Sequence, residues 1–161
     1  MKSMRWSLWL LLLVAAWAQA GAEVRPFESG SLDTIRAARA QRPFILTFWS
    51  IDCAHCPKEL KALGEIKKQY PKLDIVLVST DHDSPPLPLA DFAAQQGLAG
   101  VEQWVFADPQ VERLRYEIDR HWWGELPRTY FFDAEHRLEG VSGVVPAGRL
   151  QRWAADHVLF P

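Results

Sequence analysis

The sequence predicts an α/β sandwich built on a mixed β-sheet. Three observations carry that expectation: a strand–helix–strand unit over residues 44–78, an α-β-α excursion over 84–118, and a hairpin with a terminal helix over 128–158. Parallel strands need crossover connections of helical length, whereas a closing hairpin pairs antiparallel, so one sheet contains both kinds of pairing.

The elements follow in order. Residues 22–31 read as a short, partly extended lead-in containing Pro26. Ser31-Leu32-Asp33 starts a helix that carries Leu32, Ile35, Ala38 and Ala40, and Arg42-Pro43 stops it. Residues 44–49, Phe-Ile-Leu-Thr-Phe-Trp, are continuously β-prone, as in a strand covered on both faces. A helix is expected over 53–70, with Leu60, Leu63 and Ile66 on its buried side and Pro71 beyond its end. Pro57 is compatible with that helix, because first-turn N–H groups have no intrahelical partner. Residues 73–78 form the second strong strand, and its exit, Ser79-Thr80-Asp81-His82-Asp83, faces the same side of a parallel sheet as the cysteine loop. A Pro-rich turn at 84–88 leads into a helix over 89–96 that Gly97 ends. A short strand over 103–107 and a helix over 109–118 come next. Strands over 128–133 and 137–143 flank a turn at Glu135-His136, and a last helix over 146–158 buries Leu150, Trp153 and Ala154.

Met1-Lys2-Ser3-Met4-Arg5 precedes an apolar run from Trp6 to Ala18, broken only by Ser7 and closed by Ala18-Gln19-Ala20. This pattern reads as a secretory signal peptide over residues 1–20, cleaved after Ala20 or Ala22. A membrane span needs roughly 18 or more apolar residues, so a retained anchor is the weaker reading and no stable membrane insertion is expected after cleavage. Residues 21–161, about 140 in number, then suffice for a single domain with its own core. Loss of Lys2 and Arg5 takes the formal charge from −2 to −4, and no basic tract remains to attract nucleic acid or an anionic membrane. Export, to a bacterial periplasm, places the chain where disulfides persist.

Cys53-Ala54-His55-Cys56 follows the first long strand and contains the only two cysteines of 161 residues. A thiol at a helix start meets unpaired backbone N–H groups, which favour the thiolate that attacks disulfides. Cysteines three positions apart close a loop too small to constrain much of the chain, so the pair points to chemistry rather than stapling. The expectation is dithiol–disulfide exchange with no cofactor. Cys53, nearer the helix start and more exposed, is the candidate nucleophile, and Cys56 the resolving thiol. A structural disulfide or a pair of buried thiols is the plainer alternative. A zinc or copper site is a sharper rival, with His55, His82 or His121 as a third ligand. No second clustered pair completes a four-ligand set, and no metal residue is assigned.

Phe48-Trp49-Ser50-Ile51-Asp52-Cys53-Ala54-His55-Cys56-Pro57-Lys58-Glu59-Leu60 resembles the active-site segment of thioredoxin-fold proteins, in particular the exported TlpA-like and ResA-like thiol–disulfide oxidoreductases. Gly124-Glu125-Leu126-Pro127-Arg128-Thr129-Tyr130-Phe131-Phe132-Asp133 is similar to the proline segment and following strand of that family. The resemblance implies a thioredoxin-like fold, with residues 84–108 as the αβ insertion of the TlpA-like branch. It implies that Pro127 is a cis-proline facing the dithiol, with the Leu126 backbone turned toward an extended substrate peptide. It also makes Glu59 the acidic residue usual three positions after the second cysteine. Two departures stand out. Asp52 replaces the aromatic residue usual before the first cysteine, and a carboxylate beside a thiol opposes thiolate formation. Thr47 occupies the strand position where thioredoxins proper carry a buried acid, so a proton shuttle for the resolving thiol falls to Glu59 or water, or is absent.

His55, inside the motif, favours the reduced form by stabilising the Cys53 thiolate, which makes the couple more oxidising. Trp122 and Trp123 are candidates for an aromatic wall along a bound peptide, with burial under the loop as the alternative. His82, His121, His136 and His157 read as surface or loop residues. A peroxidase is disfavoured, because Ser50 stands where a peroxidatic cysteine is preceded, three positions earlier, by threonine. The joint expectation is an exported oxidoreductase that reduces disulfides of exported proteins, apocytochrome cysteines among the possible substrates, and is itself re-reduced by a membrane electron donor. An oxidase or isomerase is the alternative in the same class. A copper- or zinc-binding or delivery module is the alternative in a different one.

Overall fold

The computed structural model describes residues 23–82 and 85–158. The predicted signal peptide lies outside the described residues. One six-stranded sheet runs β1-β4-β3-β2-β5-β6, from β1 (Val24–Phe27), β2 (Phe44–Trp49), β3 (Ile75–Ser79), β4 (Glu102–Phe106), β5 (Arg128–Phe132) and β6 (Leu138–Ser142). β1 through β4 pair in parallel, while β5 runs antiparallel to β2 and β6 antiparallel to β5. The mixed sheet is therefore as expected.

Helices cover both faces. α2 (Cys56–Gln69), α3 (Pro86–Ala93) and α5 (Ala147–Val158) pack on one, and α1 (Ser31–Ala37) and α4 (Val111–Ile118) on the other. Side-chain alternation explains why the 44–49 run is apolar throughout. Ile45 and Trp49 join Leu60 and Leu63 on the α2 face, while Phe44, Leu46 and Phe48 join Ile35 and Leu114 on the other.

Several expectations need correction. The lead-in is an edge strand: Val24–Phe27 pairs with β4, and Pro26 is tolerated because one side of the strand has no ladder partner. α1 ends at Ala37, leaving Ala38 and Ala40 exposed, and buries Arg39 instead. That burial is compensated by Asp74, which takes Arg39 Nε and Nη2 at 3.0 and 3.1 Å, and by Glu102, which takes Nη2 at 2.7 Å. The helix expected over 89–96 starts earlier, at Pro86, and breaks at Gly97 as expected, where φ +84° leaves helical geometry within the kinked segment Ala94–Leu98. This segment lies directly on α2, so that a Cβ on Gly64 would come 1.9 Å from Gln96 O. Finally, α2 begins at Cys56 rather than Cys53, with His55 at its N-cap and Pro57 in its first turn. The second strand, expected over 73–78, runs from Ile75 to Ser79, and Leu73 is buried just before it.

Candidate functional site

The carboxyl end of β2 delivers the chain into the turn that carries both cysteines, the end where open α/β sheets gather their ligands. Cys53 and Cys56 form a disulfide with Cα atoms 5.4 Å apart. Cys53 is half-buried, whereas Cys56 is fully buried on the inner side of α2. Cys56 N–H donates to Cys53 Sγ at 3.2 Å, so a helix-start amide already points at the outer sulfur. His55, between the cysteines, is exposed, as is Asp52, whose backbone N–H donates to Ser50 Oγ at 3.1 Å.

The sheet register supplies the opposite wall. Arg128 pairs with Phe48, so Pro127 lies just beyond the pairing and next to the end of β2. The Leu126–Pro127 bond is cis, as the resemblance implied. Pro127 is buried, Leu126 half-buried, and Pro127 O accepts Gly143 N–H at 2.8 Å. The two tryptophans separate. Trp122 is 4% exposed, lies against Phe48 at 4.7 Å between ring centroids, and donates Nε1–H to Glu125 O at 2.9 Å. Trp123 is 89% exposed on a loop tied back by its own N–H to Glu125 Oε2 at 3.1 Å. Trp122 is thus part of the core, the alternative the sequence left open, and only Trp123 is exposed.

Beneath Cys56, three residues from different elements form one buried chain. Thr47 and Thr129 are direct cross-strand partners with hydroxyl oxygens 3.0 Å apart. Thr129 Oγ1–H donates to Glu59 Oε1 at 2.9 Å, and Val145 N–H donates to Glu59 Oε2 at 2.8 Å. With its hydroxyl hydrogen on Glu59, Thr129 accepts from Thr47. Glu59 is fully buried on the same side of α2 as Cys56 and one turn further along. Burial pushes its carboxyl above the usual glutamate range, and the two hydrogen bonds pull it only part of the way back. A buried acid is therefore present one turn along from Cys56, carried by α2 rather than by β2.

Asp81 was not singled out from the sequence, although its segment was placed on the correct side of the sheet. Its carboxylate accepts Ser50 Oγ–H at 2.6 Å, Ser79 Oγ–H at 2.7 Å and Ile51 N–H at 2.9 Å. The signal that points to it is its position just after a parallel strand that neighbours the one carrying the cysteines. Among the described residues, no group of three or more His, Cys, Asp or Glu side chains is arranged to hold a metal ion. No helix among them is long and apolar enough to cross a membrane.

Residues 21–141 match the AhpC/TSA family. No curated protein sequence matches this chain significantly. Among solved structures, a thiol:disulfide interchange protein of the thioredoxin family from Chlorobium tepidum TLS superposes with a TM-score of 0.61 at 14% identity, over 76% of this chain and 84% of the other. A secreted Mycobacterium tuberculosis disulfide oxidoreductase, homologous to E. coli DsbE, gives 0.59 at 19% identity over 74% and 84%. A secreted thiol-disulfide isomerase from Corynebacterium glutamicum gives 0.60 at 20% identity over 76% and 74%. The six-stranded mixed sheet with its flanking helices is the thioredoxin-like fold.

Proposed function

The chain belongs to the AhpC/TSA family, and from that premise we propose that it is an exported thiol–disulfide oxidoreductase that reduces protein disulfides. The observation that carries the reading is the Cys53–Cys56 disulfide at a strand-to-helix turn beside cis Leu126–Pro127. Cys53, the more accessible sulfur, attacks a substrate disulfide as the thiolate. A Cys53–substrate mixed disulfide forms, and one substrate sulfur departs as thiolate and takes a proton from water. Cys56 then gives its proton to Glu59 and attacks Cys53 Sγ. The second substrate thiol is released and the Cys53–Cys56 bond is restored. Two protein thiols are oxidised and one substrate disulfide is reduced. A separate dithiol donor must then re-reduce the pair, and a membrane donor fits the exported location.

In this reading the Leu126 backbone, before cis Pro127, takes an extended substrate peptide, and exposed Trp123 is its aromatic face. Exported relatives such as the secreted M. tuberculosis disulfide oxidoreductase support the location. Membership of the TlpA-like branch, with reduction of apocytochrome cysteines, is the specific form of this reading. Ser50 Oγ is committed to Asp81 and Asp52, which supports exchange chemistry over a peroxidase. One observation favours the opposite direction: His55 is exposed at the α2 N-cap between the two cysteines, where an imidazole favours the thiolate form that an oxidase or isomerase requires.

Equilibration with glutathione buffers and counting of thiols by mass spectrometry tests the reading. A reversible couple near the thioredoxin value of about −270 mV is expected, and a value of about −120 to −180 mV reverses the direction. Absence of a reversible couple overturns the proposal. In parallel, Cys56→Ser accumulates a mixed disulfide with a cystine-containing peptide, whereas Cys53→Ser does not.

A further inference from the structure

The redox turn is fastened from outside itself. Each of the four residues from Ser50 to Cys53 has an anchor, either on Asp81 just after β3 or on Ser50. Ser50 Oγ–H and Ile51 N–H donate to Asp81, Asp52 N–H donates to Ser50 Oγ, and Cys53 N–H donates to Ser50 O at 3.3 Å. Asp81 is itself oriented by Ser79, whose hydroxyl donates to its carboxylate and accepts its backbone N–H at 3.0 Å. Thr80 N–H closes the base of the arrangement on Trp49 O at 2.9 Å. The two O–H···O distances lie at the short end of the hydrogen-bond range, as strong bonds to a carboxylate do.

We infer that Asp81 is a positioning residue for the dithiol, holding the Ser50–Cys53 turn in place when the Cys53–Cys56 bond is broken. The inference rests on the exchange reading above and adds to it what sets the reactivity of the pair. Reduction removes the one covalent link across the turn. A free turn would gain conformational freedom, which re-forming the bond would have to remove again. A turn pinned to β3 keeps the Cys56 sulfur at high effective concentration relative to Cys53. The clamp therefore favours the disulfide, makes the couple more reducing and speeds resolution of the mixed disulfide. It also explains why Ser50 is a hydroxyl residue without any role in touching a substrate.

The test measures the glutathione equilibrium of the wild type, Asp81→Asn, Ser50→Ala and Ser79→Ala. The readout is the reaction of the protein dithiol with oxidised glutathione to give protein disulfide and two reduced glutathiones. Asp81→Asn is expected to lower the equilibrium constant for disulfide formation about tenfold, making the potential about 30 mV less negative. Ser50→Ala and Ser79→Ala, which leave the Asp81 charge in place, are expected to shift it in the same direction by about threefold. Resolution of a Cys53–glutathione mixed disulfide should slow in parallel. An unchanged equilibrium in both serine variants overturns the inference, since a shift confined to Asp81→Asn is then the effect of its charge. Should Asp81→Asn fail to fold, the serine variants decide alone. A wild type without a reversible couple is a separate result, because it removes the exchange reading and the inference with it.

Discussion

The two faces of the sheet treat buried charge in opposite ways. On the α1/α4 face, Arg39 is 5% exposed, yet Asp74 and Glu102 both bond its guanidinium. Burial alone would lower its proton affinity, but the hydrogen bonds and charges of the two acids outweigh that and raise it. Arg128 is treated similarly, with Asp119 accepting both Arg128 Nη2–H at 2.8 Å and Tyr130 O–H at 3.1 Å. On the α2 face, fully buried Glu59 meets only neutral donors, Thr129 and Val145, and no cation among the described residues pairs with it. A compensated charge resists any change of state, so it belongs to the framework. An uncompensated acid on the same helix side as buried Cys56 suits the proton-accepting role proposed for it above.

The comparison breaks first where charge is paired. Arg39→Ala removes the cation shared by Asp74 and Glu102 and leaves Glu102 only its exposed partner Arg25, and a loss of roughly 3 kcal/mol is expected in urea unfolding. The Cys53–Cys56 potential should not move, and a shift in it would show that the two faces are not independent. Gly64→Ala probes the other face without touching charge. Its Cβ would meet the Gln96 carbonyl at 1.9 Å, a backbone contact that no side-chain rotation relieves. A loss of about 2–3 kcal/mol is expected by thermal or urea unfolding. A change under 0.5 kcal/mol would mean that the kinked Ala94–Leu98 segment does not rest on α2 in solution.

Thr129→Val sharpens the contrast. It removes the Thr129 hydroxyl from both Thr47 and Glu59, and the unfilled bonds cost about 1–2 kcal/mol. With one stabilising donor gone, the Glu59 carboxyl titrates higher still. Thr129→Ser should restore both stability and titration. Retention of the wild-type profile by the valine variant would remove Thr129 from the account.

Much of this arrangement is legible in the sequence. The cysteine pair, the two apolar strand runs and the proline segment are local patterns, and each of them found its element. The features that were missed depend on partners far away in the chain. Arg39 reads as a helix-exit residue until Asp74 and Glu102 are brought beside it. Thr47 looks like the loss of an acid, and only the cross-strand register shows it linked through Thr129 to Glu59. Val24–Phe27 is too short, and too interrupted by Pro26, to declare itself as a strand without β4 beside it. Asp81 lies 28 positions from Cys53, and its hold on the turn comes from the parallel pairing of β2 and β3.

A smaller effect follows from the sign of the Glu59 shift. Its folded-state value is raised, so between 4.5 and that value the native carboxyl keeps a proton that the unfolded chain releases. Wild-type stability therefore falls as pH rises through this window, relative to Glu59→Gln, and the difference is flat on either side. Paired urea unfolding curves across the window check this, and a difference that does not change with pH would contradict the buried, uncompensated state of Glu59.

The most direct test of the central claim is the rate at which Cys56 resolves a mixed disulfide on Cys53, followed against pH in the wild type and in Glu59→Gln. The wild-type rate should climb as Glu59 loses its proton, with a midpoint above 4.5. Glu59→Gln should abolish that step and slow resolution by about 100-fold, the contribution expected of a positioned base. Identical pH profiles, with rates within about twofold of each other, would contradict the assignment of Glu59 as the proton acceptor of the resolving thiol.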